Sequence, residues 1–498
     1  MSKTTIKTLG IVGSGAMGAG IAQIALTAGL EVILYDQNET ALARAAEDIA
    51  LRIARLVEKG QAQPELIATA AANLTLANGL AAFAATDVVV EAIIEQLEPK
   101  QALFKALEAV VPAHAILASN TSSLSIAAIA RACARAERVC GLHFFNPVPL
   151  MKLVEVIYGP ATDAAVVEAM LELSKRLGKT AVRVKDGPGF LVNLGGRAYV
   201  TEALHVQQEG VADVETIDRI MRDGAGFRMG PFELMDLTGI DVNFTASKVI
   251  WGGYMNDPRI KTAPLHENMF NAGRLGRKTG QGFHAYPKDA PARPAYTPPE
   301  DDGKSTLKAV LPEADGRFAA LVTGSGLEVV TDDGKSPILI SPLGEDAANV
   351  CVRLGLDHKR VVAIDFTGFE RRFITLMAPV GGGALTAGVE TWLNARGLAT
   401  AVVKDSPGFV SLRLLAMVAG LGCEMAQIGI GTPEDIDLGM KLGQNYPFGP
   451  LELTAKLGPG VVLETLAAMQ TMTGSDRYRP SAWLRRRAML GLDIYTRD

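Results

Sequence analysis

The sequence predicts an α/β chain: an N-terminal Rossmann-type parallel sheet, an all-α domain, a degenerate β-containing segment and a second all-α domain. Three observations predict it. Short β runs alternate with Ala- and Leu-rich helical stretches up to about residue 185, which is the order of βαβ units. A helical pattern then occurs twice. Pro188-Gly189-Phe190 returns as Pro407-Gly408-Phe409, Ile217-Asp218 as Ile436-Asp437, and Gly230-Pro231-Phe232-Glu233-Leu234 as Gly449-Pro450-Leu451-Glu452-Leu453. The offset is 219 throughout (408 − 189), so spacing and identity agree together. Between the copies lies a proline-rich, acidic stretch whose composition cannot bury a core.

In chain order, strands are expected at Thr8–Val12, Glu31–Tyr35, Asp87–Glu91, Ala115–Ala118, Val139–Leu142 and Leu153–Ile157. Helices at 39–59 and 99–110 lie between them, and the whole makes a domain over 1–185. The character changes at Lys185-Asp186-Gly187-Pro188-Gly189-Phe190, and 186–286 reads as mostly helical. Residues 287–314 read as a linker, with five prolines from Pro287 to Ser305 and the acidic run Glu300-Asp301-Asp302. β runs return in 315–400, at Phe318–Val322, Leu327–Thr331, Ile338–Ile340 and Val361–Asp365. The second helical block, 401–498, closes the chain.

Bulk properties agree. A chain of 498 residues suits three or four domains at roughly 150 residues each. It is 48% hydrophobic and 21% charged, as globular proteins are. The net charge of −5 offers no electrostatic reason to expect nucleic acid or an anionic membrane as partner. No apolar run is long enough to span a bilayer. The start, Met1-Ser2-Lys3-Thr4-Thr5-Ile6, leads into a strand without an apolar signal segment. The four cysteines show no CxxC spacing, so free thiols, no metal site and a cytoplasmic location are expected.

The first expected strand runs into Gly13-Ser14-Gly15-Ala16-Met17-Gly18 and then into a helix. Gly13 suits a tight turn, Gly15 lets backbone approach a pyrophosphate, and Gly18 lets helix pack on strand. The helix N-terminus offers N–H groups and a positive dipole to phosphates. Asp36 ends the second strand, eighteen residues past Gly18. A carboxylate there accepts hydrogen bonds from ribose hydroxyls and repels a 2′-phosphate, so NAD is expected rather than NADP.

Gly141-Leu142-His143-Phe144-Phe145-Asn146-Pro147 follows, with Glu155 twelve residues past the histidine. A hydride leaves a carbinol carbon only as the hydroxyl proton is removed, and a neutral imidazole suits that task. A carboxylate on its other nitrogen fixes the tautomer and stabilises the imidazolium. His143 is expected just after a strand and Glu155 in the next one. Ser119-Asn120-Thr121-Ser122-Ser123 either donates to ribose, nicotinamide or substrate oxygens, or serves as a helix N-cap through Ser123. Glu95 and Lys100 either hold the nicotinamide ribose or form a solvated helix start.

Taken together these residues resemble the 3-hydroxyacyl-CoA dehydrogenase family over 7–286. The shared motifs include Ser119 to Ser123, His143 to Pro147, Met151-Lys152-Leu153-Val154-Glu155-Val156, Pro188-Gly189-Phe190 with Asn193, and Leu275-Gly276-Arg277-Lys278-Thr279-Gly280. The resemblance implies His143 as base paired with Glu155, and Ser122 and Asn193 as donors to substrate oxygens. It implies Glu95, Lys100, Asn120, Asn146 and Lys278 as NAD contacts, and Arg52 and Lys59 as contacts of coenzyme A phosphates. Those two lie on a helix face with Arg55, which is as readily a solvated face. The implied reaction is oxidation of an L-3-hydroxyacyl-CoA thioester in the cleft between the first two domains.

The duplicated block and the tail Arg477-Tyr478-Arg479-Pro480-Ser481-Ala482-Trp483-Leu484 resemble a long bacterial form acting on 3-hydroxyadipyl-CoA or 3-hydroxybutyryl-CoA. Hydroxyacid dehydrogenases without coenzyme A share the fingerprint but use a lysine base, and a non-catalytic NAD-binding relative is the other alternative. Two departures stand out. The family arginine after Asn193 is Leu194, followed by Gly195-Gly196, and Arg228 stands where the family has proline. Arg228 either pairs with a substrate carboxylate or faces solvent.

In the second half, Gly324-Ser325-Gly326 has Val329 at the third fingerprint position. Phe373 to Val380 precedes the second helical block as His143 precedes the first, without a histidine, and Leu412 replaces Asn193. No second NAD site or base is therefore expected. The repeat is expected to pair with the first helical block as an intrachain pseudo-dimer, with further homo-oligomerisation left open.

Overall fold

The computed structural model describes residues 6–288, 293–313, 316–324 and 326–497. Part of the expected linker (289–292) and Ser325 of the second glycine motif lie outside the described residues, as do Met1 to Thr5. Two compact units are present: Met1–Leu194 with Ile428–Gln444, and Gly195–Gln427 with Asn445–Asp498. This division does not follow the boundaries read from sequence. It cuts a helix just past Asn193, and it assigns a segment of the second helical block to the first unit.

The first unit is built on strands β1 (Thr8–Val12), β2 (Glu31–Tyr35), β3 (Leu74–Leu76), β4 (Val88–Glu91), β5 (Ile116–Ser119), β6 (Val139–Phe144), β7 (Leu153–Tyr158) and β8 (Thr180–Lys185). Their order in the sheet is β3-β2-β1-β4-β5-β6-β7-β8. Its helices are α1 (Ala16–Thr27), α2 (Glu39–Glu58), α3 (Glu65–Asn73), α4 (Leu97–Glu108), α5 (Ile126–Ala130), α6 (Ala164–Arg176) and the start of α7 (Val192–Gln208). β4 and β5 are buried at every residue, as strands covered on both faces must be. Their Val, Ile and Ala side chains join those of α1, α2 and α6 in one core.

Five neighbouring pairs are parallel from β3 to β6, as the alternating pattern predicts. The expected parallel order then fails: β7 runs antiparallel to β6. Only residues 145–152 join the two strands, and a parallel crossover needs a dozen or more residues. The chain must turn straight back. β6 is also longer than expected, so His143 lies inside the strand rather than after it. These two corrections decide the site, because the antiparallel register sets His143 directly opposite Glu155.

The segment from the second block completes this unit. The helix Pro433–Gln444 packs on β7 and β8, and Lys185 N–H donates to the Ile430 carbonyl at 2.8 Å.

The second unit holds most of both helical blocks and the degenerate β segment. β9 (Leu307–Ala309) pairs in parallel with β10 (Leu327–Val329), and β11 (Ile338–Ile340), β12 (Val361–Asp365), β13 (Phe373–Ala378) and β14 (Ala399–Lys404) form a four-stranded sheet. Its pairings are parallel, antiparallel, parallel. β5-β6-β7-β8 have that same sequence of pairings. Three expectations change here. Phe318–Val322 is helical, Gly316–Phe318 followed by Ala319–Gly324, because a short apolar run does not by itself distinguish helix from strand. The end of the linker supplies β9, and Tyr296 donates to the Arg372 carbonyl at 3.0 Å, so the stretch is pinned to the unit rather than free. Finally, the strand equivalent to β6 is β12, not Phe373–Ala378. Asp365, fifth in β12, stands where His143 is fifth in β6, and its register partner is Thr375 where β7 has Glu155.

Candidate active site

The glycine turn follows from the backbone. Gly13 has φ +105°, a conformation that side chains disfavour, and a Cβ on it would lie 2.5 Å from the Ala92 carbonyl oxygen. A Cβ on Gly18 would overlap the Gly13 carbonyl oxygen, so the close packing of α1 on β1 requires glycine there. Gly15 differs: a Cβ there would meet nothing within 4 Å. Packing does not require that glycine, and the open space before α1 fits the close approach of a pyrophosphate. No side chain caps α1, so the N–H groups of Ala16, Met17 and Gly18 face this space.

Asp36 flanks the turn. Its carboxylate accepts from Ser14 N–H at 2.7 Å, the Ser14 hydroxyl at 2.9 Å and Asn38 N–H at 2.9 Å. Burial opposes its charge, but the hydrogen bonds from Asn38 and Ser14 outweigh that and hold Asp36 below the usual carboxylate range. The group is anionic, half-buried and fixed, as a ribose acceptor needs to be.

A second polar cluster closes the C-terminal ends of β4 and β5. Lys100 is buried and pairs with Glu91 at 2.5 Å and with Glu95 at 3.3 Å. Ser119, the last residue of β5, donates to Glu91 at 2.6 Å. Lys100 is therefore not a solvated helix start; it anchors both acids. Glu95 Oε1 accepts from the Thr121 hydroxyl at 2.7 Å, Ser122 N–H at 2.8 Å and the Ser123 hydroxyl at 3.0 Å. Burial raises its pKa, but the Thr121 hydroxyl, Lys100 and the Ser122 and Ser123 donors together hold it down. Ser123 is not an N-cap: Ser125 caps α5, accepting from Ala128 N–H. Asn120 accepts from Phe144 N–H at 2.9 Å, which ties the end of β5 to the residue after His143.

His143 and Glu155 meet in the buried middle of this arrangement. His143 Nδ1 lies 2.6 Å from Glu155 Oε2. A carboxylate there accepts a hydrogen bond from Nδ1–H and leaves the lone pair on Nε2. Glu155 Oε1 accepts two further N–H groups, from Leu191 at 2.9 Å and Val192 at 3.0 Å. These belong to the N-terminal turn of α7, whose dipole also favours the carboxylate. The rings of Phe145 and Phe190 pack on the imidazole, with centroids at 4.5 and 5.9 Å. One residue past Val192, the Asn193 amide reaches the Ser122 carbonyl at 3.5 Å. His143, Glu155, Ser122 and Asn193 are thus brought together in the first unit. The two α7 N–H groups on Glu155 were not read from the sequence, although the Pro-Gly-Phe turn before a helix was a signal for them.

Asn146 is exposed in the loop after β6. Arg52 is half-buried on α2 and Lys59 exposed at its end. Lys278 belongs to the second unit, where it pairs with Asp241 at 2.5 Å. Arg228 is exposed. Among the described residues no cluster of His, Cys, Asp and Glu is arranged to hold a metal ion, and no helix is long and apolar enough to cross a membrane.

Known proteins resemble this chain in sequence and in fold. A family model described as "3-hydroxyacyl-CoA dehydrogenase, NAD binding domain" matches residues 8–187. A second, "3-hydroxyacyl-CoA dehydrogenase, C-terminal domain", matches 189–286 and again 408–492. The chain is 38% identical over 488 residues to 3-hydroxyadipyl-CoA dehydrogenase of Escherichia coli K12, covering 97% of this chain and 98% of that one. It is 42% identical over 293 residues to the mitochondrial hydroxyacyl-coenzyme A dehydrogenase of Rattus norvegicus, covering 57% of this chain and 92% of that one. The solved structure of 3-hydroxybutyryl-CoA dehydrogenase from Escherichia coli K12 superposes with a TM-score of 0.86 at 38% identity, over 98% of this chain and 99% of that one. The chain belongs to the 3-hydroxyacyl-CoA dehydrogenase family.

Proposed function

We propose that this chain oxidises an L-3-hydroxyacyl-CoA to the 3-oxoacyl-CoA with NAD, using His143 as base. The observation that carries the reading is the buried His143–Glu155 contact of 2.6 Å, with Glu155 itself anchored on two backbone N–H groups. His143 Nε2 removes the hydroxyl proton of the substrate. Glu155 holds the imidazole in the required tautomer and stabilises the imidazolium that forms. Ser122 and Asn193, which meet at 3.5 Å, are the residues this reading assigns as donors to the developing carbonyl oxygen. NAD, when bound, supplies the hydride acceptor, and Gly13, Gly15, Gly18 and Asp36 are the groups that fit its pyrophosphate and ribose.

For the acyl chain we propose 3-hydroxyadipyl-CoA or 3-hydroxybutyryl-CoA. A curated relative and a solved structure, both from Escherichia coli K12 and both 38% identical, bear these two names. Measuring kcat/KM for both thioesters side by side tests this: a preference for either supports it, and neither turning over refutes it. A cytoplasmic location belongs to the same reading, supported by four free cysteines.

We further propose that the second helical block serves as an intrachain pseudo-dimer partner. Within the second unit, buried Arg413 donates to Glu202 at 2.6 Å, Arg477 pairs with Glu202 at 2.5 Å, and Arg259 pairs with Glu424 at 2.5 Å. Each contact joins one copy of the repeat to the other. Asp365 and Thr375, at the positions of the dyad, supply no imidazole, so the reading assigns one active site to each chain. Asp365 is instead consumed locally by Thr367 and Ser411.

A further inference from the structure

The duplicated block also touches the catalytic geometry. Glu155 is fixed by the N–H groups of Leu191 and Val192, and both of those side chains are fully buried. The surface they lean on comes from the second half of the chain, within the first unit. A Cβ on Gly443 would lie 2.8 Å from Val192 Cγ1, 2.9 Å from Val192 Cγ2 and 3.1 Å from Leu153 Cδ2. Leu153 is two residues before Glu155 on β7. One turn earlier on the same helix, a Cβ on Gly439 would lie 2.5 Å from Leu191 Cδ2. Valine is short and stiff at χ1, so Val192 cannot swing away; its backbone must move. The first block shows that neither the helix nor the repeat demands both glycines. The position 219 before Gly439 is Ile220 (439 − 219), whereas that before Gly443 is Gly224 (443 − 219). A Cβ on Gly224 would meet Phe373, the first residue of β13, as one on Gly443 meets Leu153, the first residue of β7.

We propose that Gly443 and Gly439 of the duplicated block are positioning residues for the reaction: through Val192 and Leu191 they hold the N–H groups that fix Glu155, and through Glu155 the imidazole of His143. The proposal rests on the reading of His143 and Glu155 as the catalytic pair. It gives the non-catalytic repeat a share in catalysis as well as in stability. The close packing leaves no room for a methyl group, so added volume at either glycine moves the first turn of α7 and lengthens the contacts to Glu155.

The test is Gly443→Ala and Gly439→Ala in the full chain, read by kcat, the dissociation constant of NAD and the hydrogen-bonded imidazole proton resonance of His143. Each variant is expected to lose about 10- to 100-fold in kcat, to keep its NAD affinity and to shift that resonance. Val192→Ala combined with Gly443→Ala makes room for the methyl and is expected to recover most of both losses. Gly460→Ala, where a Cβ meets nothing within 4 Å, is expected to change none of the readouts. If Gly443→Ala does not fold, Val192→Ala alone loosens the same contact and is expected to lower kcat and shift the resonance. An unchanged kcat and resonance in the folded variants would overturn the proposal, as would a lost kcat with an unmoved resonance and no recovery in the double variant. A wild-type chain inactive on every 3-hydroxyacyl-CoA, with the resonance still shifted by Gly443→Ala, would refute the assigned reaction and leave the positioning intact.

Discussion

Arg413 and Glu202 form a buried ion pair at 2.6 Å that the repeat spells only once. The position 219 before Arg413 is Leu194 (413 − 219), and the position 219 after Glu202 is Leu421 (202 + 219). Each copy has kept one partner and replaced the other by leucine. Burial alone would raise the pKa of Glu202, but Arg477 and Arg413 hold it down, to about 2. Arg413 also forks onto Glu209 at 2.7 and 2.9 Å and onto the Tyr478 hydroxyl at 2.7 Å. Removing Arg413 leaves buried Glu202 with Arg477 as its remaining guanidinium partner and strips a hydrogen-bonded charge from the buried cluster. Arg413→Leu is expected to lower stability by up to about 3–5 kcal/mol in equilibrium denaturation, the upper end being the cost of a wholly unpaired charge. Arg413→Lys should recover only part, since an ammonium cannot span the same acceptors. A loss below about 1 kcal/mol for Arg413→Leu, the range of exposed pairs, would remove the pair from the account of how the blocks are held.

His266 gives the second unit an acid-labile point. Burial, then the nearby Arg197 guanidinium, pushes it down to about 3, and its Nδ1 meets the Thr262 hydroxyl at 2.9 Å. The unfolded chain titrates this group near 6.5, so below that pH the unfolded state binds a proton that the folded state refuses. Its contribution is fully present above about 6.5 and falls as pH drops toward 3. Lowering the pH from 6.5 to 4.5 is expected to cost up to about 2.3 kcal/mol from this group alone. His284 acts in the opposite sense, since the hydrogen bond it donates to Asp218 raises it. The diagnostic is therefore the difference between wild type and His266→Phe. The variant should show a flatter loss of Tm between pH 6.5 and 4.5, and parallel curves would count against the assignment.

Asp36 is held in place before any ligand arrives, by Ser14 and Asn38. Asp36→Ala should weaken NAD binding by about 10- to 100-fold, the worth of hydrogen bonds to a charged acceptor, and weaken NADP binding less. Coenzyme titration by fluorescence quenching measures both. Equal losses for the two coenzymes would contradict the assigned ribose contact.

Much of this was legible in the chain. The Gly13 to Gly18 turn and Asp36 follow from local spacing, and the repeat follows from identity at a fixed offset. The pairing of His143 with Glu155 was expected, but not its geometry. That came from a tertiary constraint, an eight-residue connection too short for a parallel crossover, and its length was readable all along. Phe318–Val322 was misread because five apolar residues carry no period. Asp365 was missed as the counterpart of His143 because strand order, rather than any shared residue, defines the equivalence. The roles of Leu191, Val192 and Gly443 lay beyond sequence, since they depend on which face of a distant helix is apposed to β7.

The central claim is that His143 is the base and that each chain has one. Absorbance at 340 nm, following NADH consumed with acetoacetyl-CoA, tests it most directly when wild type and His143→Ala are compared at matched NADH affinity. The account predicts rapid turnover by wild type and a loss of about 10²- to 10⁴-fold in the variant, with NADH binding nearly unchanged. Turnover in His143→Ala equal to that of wild type would contradict it.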